Sequence, residues 1–222
     1  MKRTILMLAL LLMVASLFAQ SEKFTKAMEK NIVMLDDSSS MKPEPLQDLA
    51  NAFERIGEAE KTQWLPYYYA AYCNVMKGFM MNNGQNMGGL ADKTDPLADK
   101  AEALLAKAEA LTKENSEIFC LKKMIATLRM MADPMTRWQT QGPLAAAALE
   151  KAKQLNQNNP RIYLLEGQDK FYTPEQFGGS KAEAKVLFEE AIKKYEAFKP
   201  ESSIHPQWGL AATRYFHAEC SK

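Results

Sequence analysis

Few residues in this chain have the chemical range to hold a metal or move a proton. There are two His (205, 217) and three Cys (73, 120, 220). His217 and Cys220 are three apart, a spacing that shares one helical face, and His205 with Cys120 would complete four zinc ligands. His205, however, precedes Pro206 in a linker, and Cys220 stands close to the C-terminus. That scattered set supports only a rival reading, a metal-binding or enzymatic site near the C-terminus. Asp36-x-Ser38-x-Ser40 has the spacing of an oxygen-ligand metal motif. Such a motif needs a buried strand before it, whereas Phe24, Met28, Ile32 and Leu35 recur at helical spacing. The methionine groups Met76, Met80, Met81 and Met130, Met131, Met135 read as adaptable packing rather than soft copper ligands.

Motifs of enzymes are missing. The chain has no G-x-S-x-G, no H-E-x-x-H, no C-x-x-C and no phosphate-binding Gly-rich loop ending in Lys-Ser/Thr. Gly88-Gly89 and Gly178-Gly179 punctuate turns. Glu102, Glu109, Glu183, Glu189 and Glu190 occupy regular polar faces. The expectation is a non-enzymatic binding protein without metal or cofactor.

The first 19 residues read as an export signal: Lys2 and Arg3, an apolar run from Ile5 to Val14, and small residues up to Ala19. The apolar run is too short to span a bilayer. No Cys follows the expected cut after Ala19, which argues against a lipoprotein, and nothing downstream reads as a membrane segment. The expected location is periplasmic or secreted. Two of the 28 basic residues and none of the 27 acidic ones fall in the leader, leaving a net charge of −1 on residues 20–222. That balance offers no general attraction to nucleic acid or acidic lipid. Three sparse Cys do not form a disulfide framework and read as small buried apolar side chains.

The elements that would position a site are helices. Ala98, Ala101, Leu105, Ala108 and Leu111 make one apolar stripe; Ala184, Leu187, Phe188, Ala191, Ile192, Tyr195 and Phe198 make another; Leu46, Leu49, Ala50 and Phe53 make a third. Aligned, they disclose a repeat. Ala101-x3-Leu105-x2-Ala108, Ala145-x3-Leu149-x2-Ala152 and Ala184-x3-Phe188-x2-Ala191 share one spacing. Eleven residues after Ala108 comes Phe119, eleven after Ala152 comes Tyr163, and eleven after Phe53 comes Trp64. A small residue late in one helix permits a close crossing, and an aromatic opening the next fills the space beside it.

These junctions resemble the tetratricopeptide repeat family, over roughly residues 44–220, with Tyr163, Gly167, Ala184, Phe188 and Ala191 fitting its pattern best. The resemblance implies an all-α superhelix of stacked antiparallel hairpins in one domain, residues 20–222. It comprises an N-terminal helix, three hairpins over 44–200, and a capping helix over 205–220. From opening aromatic to closing-helix Ala the gaps are 37, 26 and 21 residues, against about 16 in the family. Breaker residues assign the excess to turns at Asn82 to Gly89, Asp133 to Pro143 and Thr173 to Gly179.

In that family the first helix of each hairpin lines a concave groove holding a protein or peptide segment. Carried over, the groove comprises Leu65, Tyr69, Tyr72, Met124, Thr127, Gln168, Phe171, Thr213 and Phe216. Leu65 and Tyr69 stand where some relatives carry a carboxylate clamp, so that mode is not expected. Trp64, Tyr67, Tyr68, Tyr69 and Tyr72 cannot all share one helical face, so several of them must be core. Phe177, at the tip of a turn, marks an alternative binding edge.

Overall fold

The computed structural model describes residues 22–35, 40–81 and 89–222. The export signal of residues 1–19, Asp36, Ser38 and the turn residues 82–88 lie outside the described residues. The described chain is all-α, with no strand in it. Residues 22–35 form α1. There follow α2 (Pro43–Glu60), α3 (Trp64–Met81), α4 (Ala91–Ala110), α5 (Ser116–Ala132), α6 (Pro134–Leu155), α7 (Pro160–Tyr172), α8 (Lys181–Ala197) and α9 (Leu210–Glu219). A 3-10 turn, Glu175–Phe177, joins α7 to α8.

Local chemistry sets the boundaries. Pro43, Pro134 and Pro160 stand in first turns, where a missing N–H costs nothing. Asn115, Asp133, Asn159 and Ser180 cap α5, α6, α7 and α8 by accepting backbone N–H bonds from Ile118, Thr136, Arg161 and Glu183. From α2 onward each helix packs on its sequence neighbour, most extensively α2 on α3, α3 on α4, α5 on α6 and α7 on α8, while α3 meets α5 and α5 meets α7 across the hairpins. The central helix α3 is accordingly buried nearly all round, from Leu65 to Val75 without a break.

The aligned small residues behave as their spacing requires. Ala101, Ala108, Ala145, Ala152, Ala184 and Ala191 are all buried. Gly167 shows why the pattern demands them: a Cβ there would stand 2.5 Å from the ring of Phe188.

Two expectations fail. No turn occupies Asp133 to Pro143. Asp133 alone links α5 to α6, and α6 runs unbroken through Gly142 and Pro143. The Asp133 cap and the bidentate Arg137–Asp95 pair, at 2.7 and 2.8 Å, start α6 early and pin its first turns to α4. The extra residues of that hairpin therefore lengthen a helix. The C-terminal helix begins at Leu210, not near residue 205, because Pro206 lacks an N–H and Gly209 sits at φ 113, outside the helical region.

One large core extends from Phe24 to Ile204. A smaller one, Leu164, Ala184 and Phe188, sits between α7 and α8 with Phe171, Phe216 and Cys220 packed against it.

Candidate functional site

The expected groove divides into a closed part and an open part. Leu65, Tyr69, Tyr72 and Met124 are buried, and so is Thr213, whose hydroxyl donates to Gly209 O at 2.8 Å. Leu65 is core, and Tyr69 and Tyr72 are not an open face, because the segment between α8 and α9 (residues 198–209) lies over them. Ile204 O accepts from the Tyr69 hydroxyl at 3.2 Å, and Tyr69 stacks on Phe53 at 5.0 Å. His205 meets Trp64 edge-on at 5.7 Å, and Trp208 stacks on Tyr72 at 4.9 Å. The chain itself occupies the place the sequence reading assigned to a partner.

Beneath this strap is a buried polar cluster at the N-terminal ends of α5 and α7. The Arg161 guanidinium donates to the Glu117 carboxylate at 2.7 and 2.8 Å, and neither side chain has appreciable contact with solvent. Glu117 also accepts from Tyr68 Oη at 3.1 Å and from the Asn159 amide at 2.7 Å. Burial disfavours the Arg161 charge, but the adjacent carboxylate outweighs it and holds the guanidinium protonated well above its ordinary range. Burial, then the Glu117 charge, push the Tyr68 phenol up, so it stays neutral. The sequence reading missed this cluster, although a signal existed. Glu117 stands two residues before Phe119 and Arg161 two before Tyr163, so neighbouring repeats carry opposite charges at one register.

The open part lies at the far end, where α7 finishes beside α9. Phe171 and Phe216 meet at 5.5 Å, Tyr172 and Phe216 at 5.6 Å, Tyr215 and Phe216 at 5.3 Å, and Phe188 stacks beneath Phe216 at 5.7 Å. Tyr172 and Tyr215 are 66% and 60% exposed, which marks an aromatic surface and not a core. Lys181 stands 5.6 Å over the Phe171 ring. Partial burial, then the neighbouring Tyr215, raise the Tyr172 phenol, which stays neutral at neutral pH. At the C-terminus Lys222 is paired with Glu219.

Thus Phe171 and Phe216 come together, while Leu65, Tyr69 and Tyr72 belong to the covered end. Gln168 is partly buried on α7, one turn before Tyr172. Thr127 on α5 has a buried hydroxyl with no hydrogen-bond partner among the described residues. Phe177 is 74% exposed at its turn, away from the aromatic cluster's contacts. The residues of the rival metal reading do not assemble. His205 sits against Trp64, His217 faces Glu189 at 3.2 Å, Cys120 is core, and among the described residues no group of three or more His, Cys, Asp or Glu could hold a metal ion. All three Cys are unpaired. A cleft of about 540 Å³ beside the strap is lined by Trp64, Leu155, Phe198 and His205 among mostly polar groups.

No described helix is long and apolar enough to cross a membrane. No protein-family model matches the chain, and no curated protein does. Among solved structures it is similar to the HusA haemophore from Porphyromonas gingivalis, at 34% identity over 89% of this chain and 92% of that one, with a TM-score of 0.75.

Proposed function

The chain belongs to the family of the HusA haemophore, and from that premise we propose that it is an exported, non-enzymatic carrier of haem. The observation that carries the reading is the exposed aromatic surface of Tyr172, Tyr215 and Phe216 over Phe171. Haem is a flat apolar macrocycle with two carboxylates and an iron at its centre. Aromatic faces suit the macrocycle through stacking and apolar burial. Lys181 over Phe171 suits a carboxylate, and a phenol is one of the side chains that ligate haem iron. The leader at residues 1–19 supports delivery across a membrane to where free haem is met.

Tetratricopeptide-type stacking belongs to the same proposal, supported by the shared Ala spacing and the Gly167–Phe188 crossing. A protein or peptide segment is the alternative cargo. Ile204 and Trp208 already cover α3, which favours a compact ligand at the α7–α9 end over a peptide along the whole row.

The test is titration of the purified chain with hemin, followed by Soret absorbance and tryptophan quenching. The Tyr172→Ala/Tyr215→Ala double variant should bind at least tenfold more weakly with helicity unchanged. Tyr172→Phe and Tyr215→Phe, which keep the rings, separate stacking from iron ligation. Equal affinity in the double alanine variant would remove the site from this surface, and a parent chain that leaves hemin free would end the haem reading.

A further inference from the structure

Trp208 is the one residue that packs against both hydrophobic cores of the described chain. On the side of the main core its ring stacks on Tyr72 at 4.9 Å and its indole N–H donates to Tyr68 Oη at 2.9 Å. Its carbonyl accepts from Tyr195 Oη at 2.9 Å and from Arg161 at 3.4 Å, and the Arg161 guanidinium lies 5.5 Å over the indole. Beyond it the chain turns once and enters α9. The turn is Gly209, at φ 113, where a Cβ would meet the Tyr195 hydroxyl and Leu164. No residue with a Cβ fits that turn, and the single turn ties the direction of α9 to where Trp208 is held.

The ten residues of α9 have little else to hold them. The helix packs on α8 and touches α7 through Phe216 against Phe171 and Tyr172; it buries Thr213 alone, and its apolar contacts belong to the small core. A ten-residue helix is marginal in isolation, and elements with few buried contacts open with low free energy. Yet α9 supplies Tyr215 and Phe216 to the aromatic surface.

We infer that Trp208 is the positioning residue of the ligand surface: seated between Tyr72, Tyr68 and Arg161, it fixes α9 so that Tyr215 and Phe216 stand beside Tyr172. The inference rests on the haem reading only for the identity of the ligand. Release of Trp208 frees α9 while α2 to α5 keep their packing, so the surface is taken apart without unfolding the protein. The buried Glu117–Arg161 pair then acts on the site at a distance, by holding the seat of a residue that touches no ligand.

Hydrogen exchange read helix by helix, with hemin titration in parallel, decides this on the full chain. Trp208→Ala should raise α9 amide exchange at least tenfold, leave α2–α5 unchanged, and weaken hemin at least tenfold. Trp208→Phe, which keeps the stack on Tyr72, should restore affinity to within about threefold. Unchanged α9 exchange in Trp208→Ala overturns the inference, as does hemin affinity lost equally in the Phe variant. Should Trp208→Ala melt helices throughout, Tyr68→Phe takes its place. It keeps the ring while removing the indole's acceptor and one donor to Glu117, and it should raise exchange in α9 more than in α3 or α5; no rise in α9 overturns the inference. If the parent chain leaves hemin free, the haem reading falls, whereas α9 exchange in the ligand-free variants still decides the role of Trp208.

Discussion

Arg161 and Glu117 face each other in a forked ion pair that water does not reach, each at the N-terminal end of a helix that opens a hairpin. Taking both charges from water is costly, and their attraction compensates only because the remaining valences are filled by Tyr68, Asn159 and the Trp208 carbonyl. The pair thereby ties α3, α5, α7 and the strap at one point.

The consequence is an asymmetry between breaking the pair and replacing it. Glu117→Ala leaves a guanidinium buried without its partner and should cost about 3–5 kcal/mol. Arg161→Leu should cost a comparable amount. The Glu117→Leu/Arg161→Leu double variant should recover most of that loss. Urea unfolding of the three variants measures the coupling; strictly additive losses would show that the two charges act independently.

Much of the stack was legible from residue size alone. The recurring Ala spacing locates α4, α6 and α8 and the crossings at Ala108, Ala152 and Ala191, because small side chains are what a close crossing requires. That Phe171 and Phe216 share one face was legible too, and the two rings do meet. What could not be read was the strap. Residues 198–209 carry no periodicity, and whether Ile204 and Trp208 point outward or into the groove depends on contacts more than 130 residues away. Gly142-Pro143 misled for a related reason: breaker residues state a local preference, and the Asp133 cap with the Arg137–Asp95 pair overrides it.

The Gly167–Phe188 crossing predicts a packing defect from a single methyl. In Gly167→Ala the new Cβ meets ring carbons at 2.5 to 3.0 Å, below any comfortable contact, so α7 and α8 must separate. A loss of roughly 1–3 kcal/mol is expected, as for other overpacked interiors. Adding Phe188→Leu should recover part of it. Thermal unfolding of the two variants checks this, and an unaffected Gly167→Ala would mean that the α7–α8 contact yields at no cost.

Acid should loosen the start of α6. Hydrogen bonding from the Arg137 guanidinium holds the Asp95 carboxyl below its ordinary range, against the opposing effect of burial. With the folded value depressed, the stabilisation is complete above the unfolded value near 4 and disappears as pH falls through the folded value. The pair is partly solvated, so its worth is no more than about 1 kcal/mol. Asp95→Asn should abolish that component of the stability lost below about pH 4 and leave stability above it lower and flatter. Identical acid profiles for parent and variant would assign acid sensitivity elsewhere.

Thiol reactivity offers a reporter on the ligand surface. Cys73 and Cys120 are fully buried and burial raises both thiols far above neutrality, so neither should react while the fold is intact. Cys220 is partly exposed against the Phe216 cluster; burial raises its thiol, and Lys181 with Lys185 oppose that. A thiol reagent should therefore modify one cysteine of the native chain, slowly, and all three after unfolding. Hemin on Tyr172, Tyr215 and Phe216 would cover the neighbourhood of Cys220 and slow its modification in proportion to occupancy. Mass spectrometry of the labelled peptide measures both effects at once. Protection of Cys220 that saturates with the Soret titration places the ligand at the α7–α9 end, and labelling indifferent to bound hemin places it elsewhere.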